Sequence, residues 1–101
     1  MASYEKIDEV DDDLRSIVTY TAERWGAVQV RKYMAGLDAQ MERIATGHAH
    51  TRQLDHVIDG LRVGKYERHY IFGVDRPNAP MLILAVFHEK MSVIERLSER
   101  L

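Results

Sequence analysis

His69-Tyr-Ile-Phe-Gly-Val-Asp75, then Arg76-Pro-Asn-Ala-Pro80, then Met81-Leu-Ile-Leu-Ala-Val-Phe-His88 is the stretch on which the fold turns. Two dense apolar runs, too short for buried helices and rich in Ile, Val, Tyr and Phe, flank a linker of turn residues, and this pattern predicts a β-hairpin. Successive strand side chains point to opposite faces, yet both parities are apolar here: Tyr70, Phe72 and Val74 against Ile71, and Leu82, Leu84 and Val86 against Ile83, Ala85 and Phe87. Such strands are central and need cover on both sides. The rest of the chain has to supply it.

Working outward, Asp59-Gly60 marks a turn, and Leu61-Arg-Val-Gly-Lys-Tyr-Glu67 alternates well enough for a third strand, giving an antiparallel meander. Ser3-Tyr-Glu-Lys-Ile7 reads as a short first strand, with Asp8 placed to cap a helix. Val10, Leu14, Ile17, Val18, Thr21 and Trp25 then share one helical face, so Trp25 is expected in the core. Glu9, Asp11, Asp12 and Asp13 crowd the positive end of that helix, and the dipole accounts for them better than a metal or acid-base site.

Gly26 stands where a helix ends on a positive φ. A second helix follows from about Val28 to Ala45, with Val30, Met34, Leu37, Met41 and Ile44 as its stripe, so the two helices form an αα-hairpin. Gly36 inside it suggests close packing. Thr46 to Gln53 has no periodicity and reads as a loop. Ser92-Val-Ile-Glu95 has capping-box spacing and starts a short last helix whose apolar face is Ile94, Leu97 and Leu101. The expected fold is a single α+β domain over residues 1 to 101, with a small antiparallel sheet, an N-terminal helical hairpin and a C-terminal helix, in the order β-α-α-β-β-β-α.

Composition narrows the function. A chain of 101 residues with 46% hydrophobic and 30% charged residues is one globular domain. Residues 1 to 26 carry three Lys/Arg against seven Asp/Glu, whereas residues 61 to 80 carry four against two. This argues against a broad nucleic-acid-binding face. With no cysteine, disulfides and thiolate metal sites are excluded. His48 and His50 lack further ligands at recognisable spacing, so no metal and no cofactor are expected. No run approaches a membrane span and no signal-peptide core is visible, so a cytoplasmic location is expected.

Tyr20-Thr-Ala-Glu-Arg-Trp-Gly26, Gln29-Val-Arg-Lys-Tyr33, Gly60-Leu-Arg62, His69-Tyr-Ile-Phe72 and Leu84-Ala-Val-Phe-His-Glu-Lys-Met91 occur in order at compatible spacing. Together they resemble the ParE toxins of the RelE/ParE superfamily of bacterial type II toxin-antitoxin systems, most closely the plasmid-stability branch. The resemblance implies a toxin that binds and poisons DNA gyrase, and a ParD-like antitoxin that wraps an extended, partly helical segment around it. The chain departs from many relatives at Ala85, where they place an arginine, and at Gly73, where they place a tyrosine.

Three functions follow from that resemblance: a non-catalytic gyrase poison, a ribosome-dependent mRNA endonuclease like the RelE branch, or a non-toxic relative that only binds antitoxin. RNA cleavage needs a base, an acid and positive charge on the phosphate. RelE-like nucleases carry lysines and arginines on the central strands, and the corresponding positions here read Leu61, Val63 and Tyr70. The remaining candidates for a nuclease are His88, His69 and Arg62, with the two histidines facing across adjacent strands. Alternatively His88 ends a buried strand and bonds backbone at the entry to the last helix. Tyr20, Val28 and Tyr33 lie off the central helical stripes and are candidates for antitoxin contact. Arg62, Lys65, Arg68 and Lys90 are candidates for contact with gyrase or its DNA.

Overall fold

In a computed structural model that describes residues 3–101, the chain runs β1 (Tyr4–Lys6), α1 (Asp8–Ala45), β2 (Arg52–Gln53), β3 (Leu61–Tyr66), β4 (His69–Arg76), β5 (Ala79–His88) and α2 (Val93–Arg100). The five strands form one sheet in the order β1-β5-β4-β3-β2. β4 and β5 are the expected hairpin, with Arg76 opposite Ala79 across Pro77 and Asn78. Proline sets φ for the first loop position, and Asn78 tolerates φ +61 at the second.

α1 is two helical arms joined at Gly26, whose φ of +83° and ψ of 176° break the helix. At about 1.5 Å per residue its 38 residues would extend about 57 Å if straight. The longest dimension of the molecule is 39 Å, so the arms double back as the expected hairpin. Both arms lay their apolar stripes on one sheet face, where Val10, Ile17, Leu37, Met41 and Ile44 pack with Ile71, Met81, Ile83 and Val86. On the opposite face Leu54, Leu61, Phe72, Leu84, Ala85, Phe87 and Leu97 form a second cluster. The double parity of the hairpin strands is therefore used in full.

Two glycines mark close approaches. A methyl group at Gly36 would overlap the Tyr66 hydroxyl, so Tyr66 of β3 keeps its place against the second arm only while position 36 has no side chain. A Cβ at Gly73 would come within 2.6 Å of the Met81 sulfur, so Met81 would have to move to admit any side chain there.

Several expectations are corrected. Trp25 is 70% exposed rather than buried. Val10, Leu14, Ile17 and Thr21 face inward as expected, but Val18 is 36% exposed and residues 22–29 are all exposed, because the elbow at Gly26 projects beyond the sheet. β1 pairs with β5 in parallel, which makes the sheet mixed rather than wholly antiparallel. The Thr46 to Gln53 loop contains β2, whose two residues pair with Val63 and Arg62 of β3. Ile7, not Asp8, occupies the N-cap of α1, and Asp8 is its first residue. Ser92 does precede α2, but its side chain makes no capping bond, and only Leu97 of the apolar face is buried, with Ile94 and Leu101 exposed.

Candidate functional site

The elbow of α1 exposes large apolar side chains. Tyr20, Trp25 and Val28 are 52, 70 and 71% exposed, and Arg24 covers one face of the Tyr20 ring at 4.9 Å. Exposed aromatic and aliphatic groups clustered this way mark protein-binding surfaces. Two clefts flank the base of the patch. One, of about 510 Å³, lies between the helical hairpin and the β3-β4 loop and is lined by Trp25, Tyr33, Tyr66 and Arg68. The other, of about 760 Å³, lies between α1, the end of β5 and α2, and is lined by Ile17, Met91, Arg96 and Arg100. Tyr20, His69 and His88 border both.

His69 and His88 occupy opposed positions on β4 and β5, with rings 5.2 Å apart and nearly perpendicular. Their predicted juxtaposition is present, but each is already engaged. Tyr33 bonds His69 Nδ1 at 2.6 Å. Burial pushes the Tyr33 phenol up to about 12, so it keeps its proton at pH 7 and shares a hydrogen bond with the imidazole. Burial first, and His88 second, lower His69 to about 4, so it is neutral at pH 7 despite the opposing pull of Glu89. His88 Nδ1 accepts the Lys90 backbone N–H at 3.1 Å, the backbone role anticipated as the alternative to catalysis. Tyr33 is thus half-buried and tied inward, unlike Tyr20 and Val28.

Of the basic candidates, Lys65, Arg68 and Lys90 lie around Glu89 at one end of the sheet, and Arg62 lies apart from them. Arg62 is 13% exposed and forms a bidentate pair with Asp75, its nitrogens 2.8 and 2.9 Å from the carboxylate oxygens. Lys65 lies 3.6 Å from Glu89 and over the Tyr70 ring. Arg68 and Lys90 are exposed. Arg62 also borders a separate polar cleft with Thr51 and Asp75, away from the histidines. His48 and His50 are exposed loop residues, and among the described residues no group of three or more His, Cys, Asp or Glu is placed to hold a metal.

One functional group is not apparent from local sequence. Asp13, read only as a helix-start acid, accepts the Val86 backbone N–H at 3.0 Å and both terminal nitrogens of Arg100 at 2.6 and 2.9 Å. Arg100 in turn donates to the Leu84 carbonyl at 3.1 Å and stacks over Phe87 at 4.8 Å. Beyond the end of β1, these two side chains rather than a strand occupy the Val86 N–H and the Leu84 carbonyl on the edge of β5. A signal existed in the spacing, since Asp13 falls between the apolar positions Val10 and Ile17 and so leans toward the sheet.

What this arrangement offers chemically is an adhesive elbow and a strand edge, with its histidines committed to structural bonds. A family model described as the ParE toxin of the type II toxin-antitoxin system, parDE, matches residues 7–93. The chain is also 38% identical over 101 residues to the toxin ParE of Escherichia coli, covering all of this chain and 98% of that protein. Among the described residues, no helix is long and apolar enough to cross a membrane.

Proposed function

Given that the chain belongs to the ParE toxin family of type II toxin-antitoxin systems, we propose that it acts in the cytoplasm by binding DNA gyrase and trapping it on cleaved DNA, without catalysis of its own, until a ParD-like antitoxin covers it. The observation that carries this reading is the elbow, where Tyr20, Trp25 and Val28 stand in solvent at no structural need of the fold. A surface of this kind serves a protein partner.

The enzymatic alternative, RelE-type cleavage of ribosome-bound mRNA, has less support. His69 is neutral and held by Tyr33, Arg62 is held by Asp75, and the positions where RelE-like nucleases carry central cations are Leu61, Val63 and Tyr70. We assign Tyr20 and Val28, with Trp25 between them, to the antitoxin, and Tyr33 to the wall beneath them. Of the four candidate cations, Arg68 and Lys90 make no ion pair among the described residues and are assigned to gyrase or its DNA, whereas Lys65 and Arg62 have intramolecular acidic partners. The partner complex is a hetero-oligomer, without membrane attachment or sequence-specific nucleic-acid binding by this chain.

The test is a supercoiling assay with purified gyrase, run beside a ribosome-bound mRNA cleavage assay. Accumulation of gyrase-cleaved DNA that added antitoxin abolishes is the expected result. Message cleavage lost on replacing His88 or Arg62 in a folded protein would establish the nuclease instead, and inactivity in both assays would establish a relative that only binds antitoxin.

A further inference from the structure

The edge of β5 that borders the larger cleft has an unusual hydrogen-bonding pattern. Glu89 donates its N–H to the Arg68 carbonyl at 2.8 Å, so residues 87 and 89 bond toward β4. Residues 86 and 88 therefore turn their backbone groups away from β4. β1 no longer covers them, since it ends at Lys6 opposite Ile83 and its last bond is from the Ile7 N–H to the Ile83 carbonyl. Four outward groups result. The Val86 N–H is taken by Asp13, and the His88 carbonyl accepts the Met91 N–H at 3.0 Å. The two between them, the Val86 carbonyl and the His88 N–H, have no partner among the described residues and face the cleft.

This pattern selects the strand direction of a guest. In parallel pairing one guest residue bonds the carbonyl of residue i and the N–H of residue i+2, which is the pair left open. An antiparallel guest would also aim a carbonyl at the position held by the Asp13 carboxylate and an N–H at the position held by the Met91 N–H. Both contacts are repulsive. Charge further defines the guest: Lys90 and Arg96 on the cleft rim make no ion pair among the described residues, Asp13 is neutralised by Arg100, and Glu99 is the other carboxylate in the lining.

We propose that an extended, acidic segment of the antitoxin adds to this edge as a one-residue parallel bridge opposite Phe87, running in the direction of β1. This deepens the reading of an antitoxin partner and rests on it. The bridging residue places its side chain on the Phe87 side, beside Met91, and its neighbours fall on the Val86 and His88 side, near Ile17 and Tyr20, which continues into the elbow patch. Asp13 and the β5-α2 turn limit the bridge to one residue.

The test compares His88→Pro with His88→Ala in the full chain. Both remove the ring, but only proline removes the N–H, and its outward position on an edge strand tolerates proline. With folding checked by circular dichroism, His88→Pro is expected to bind a co-purified ParD-like antitoxin about fivefold more weakly than His88→Ala, the value of one hydrogen bond. In the unmutated complex the His88 amide is expected to exchange on the order of tenfold more slowly than in the free chain. A complex with an unprotected His88 amide, or equal affinities of two folded variants, overturns the bridge alone. A chain that forms no complex on size-exclusion chromatography overturns both the bridge and the antitoxin reading.

Discussion

Asp13 and Arg100 lie 87 residues apart and form a two-toothed ion pair, with the carboxylate 11% and the guanidinium 17% exposed. Each also holds the β5 edge, through the Val86 N–H and the Leu84 carbonyl. The pair therefore ties the first helix, the central sheet and the last helix together. The Arg100 guanidinium is raised further above its ordinary value, chiefly by the hydrogen bond to Asp13.

Removing one partner strands the other in a largely dry position. Arg100→Ala is expected to lower unfolding stability by about 2 to 3 kcal/mol, since a largely buried carboxylate loses its counter-ion. Urea titration at pH 7 measures this. In a double-mutant cycle with Asp13→Ala the losses should be clearly less than additive.

Trp25 predicts the opposite balance. Because its ring stands in solvent, Trp25→Ala should change stability by less than about 1 kcal/mol, far below the cost for a buried tryptophan. The same substitution, or Val28→Asp, should weaken antitoxin binding by about tenfold or more, as loss of an aromatic anchor does. Calorimetry of folding and of binding on one variant separates the two.

Gly36→Ala is expected to destabilise even though alanine is the better helix former by about 1 kcal/mol. The new methyl must displace the Tyr66 ring, which packs edge-on against Tyr33 at 5.1 Å, and overpacking costs about 1 to 3 kcal/mol. On the Tyr66→Ala background the penalty should vanish and the helix preference return. Thermal melts of the four proteins check it.

His69 gives stability a pH dependence. Its folded value of about 4 lies below the ordinary 6.5, so between those values the unfolded chain binds more protons than the folded one. Stability is full above about pH 6.5 and falls as the solution is acidified toward 4, with a slope of at most about 1.4 kcal/mol per pH unit from this group, reduced by solvent screening. His69→Gln should flatten that part of the profile. An NMR titration of the His69 ring giving an ordinary midpoint would refute the assignment.

Much of the architecture was legible because it is periodic. Two-sided apolar strands from His69 to His88 and the helical stripes led to the core, and Gly26, Gly36 and Gly60 each fall where backbone freedom or proximity is needed. Trp25 is not placed correctly by helical spacing, which tells which way a side chain faces but not how far the sheet extends beneath it. β2 leaves no signal, since a two-residue strand has no period. Asp13 reads locally as a helix-start charge, whereas its role depends on Arg100, 87 residues away. Strand register points to the histidine pair, but not to its commitment to Tyr33 and to the Lys90 backbone, which depends on how the second helical arm and the β5-α2 turn pack against it.

The left-handed glycine at position 26 bends the chain where nothing lies underneath, so the side chains around it are released from the duty of packing. If the elbow meets the antitoxin as proposed, partner choice could be rewritten at positions 20, 25 and 28 at little cost to folding, leaving the interior as it is.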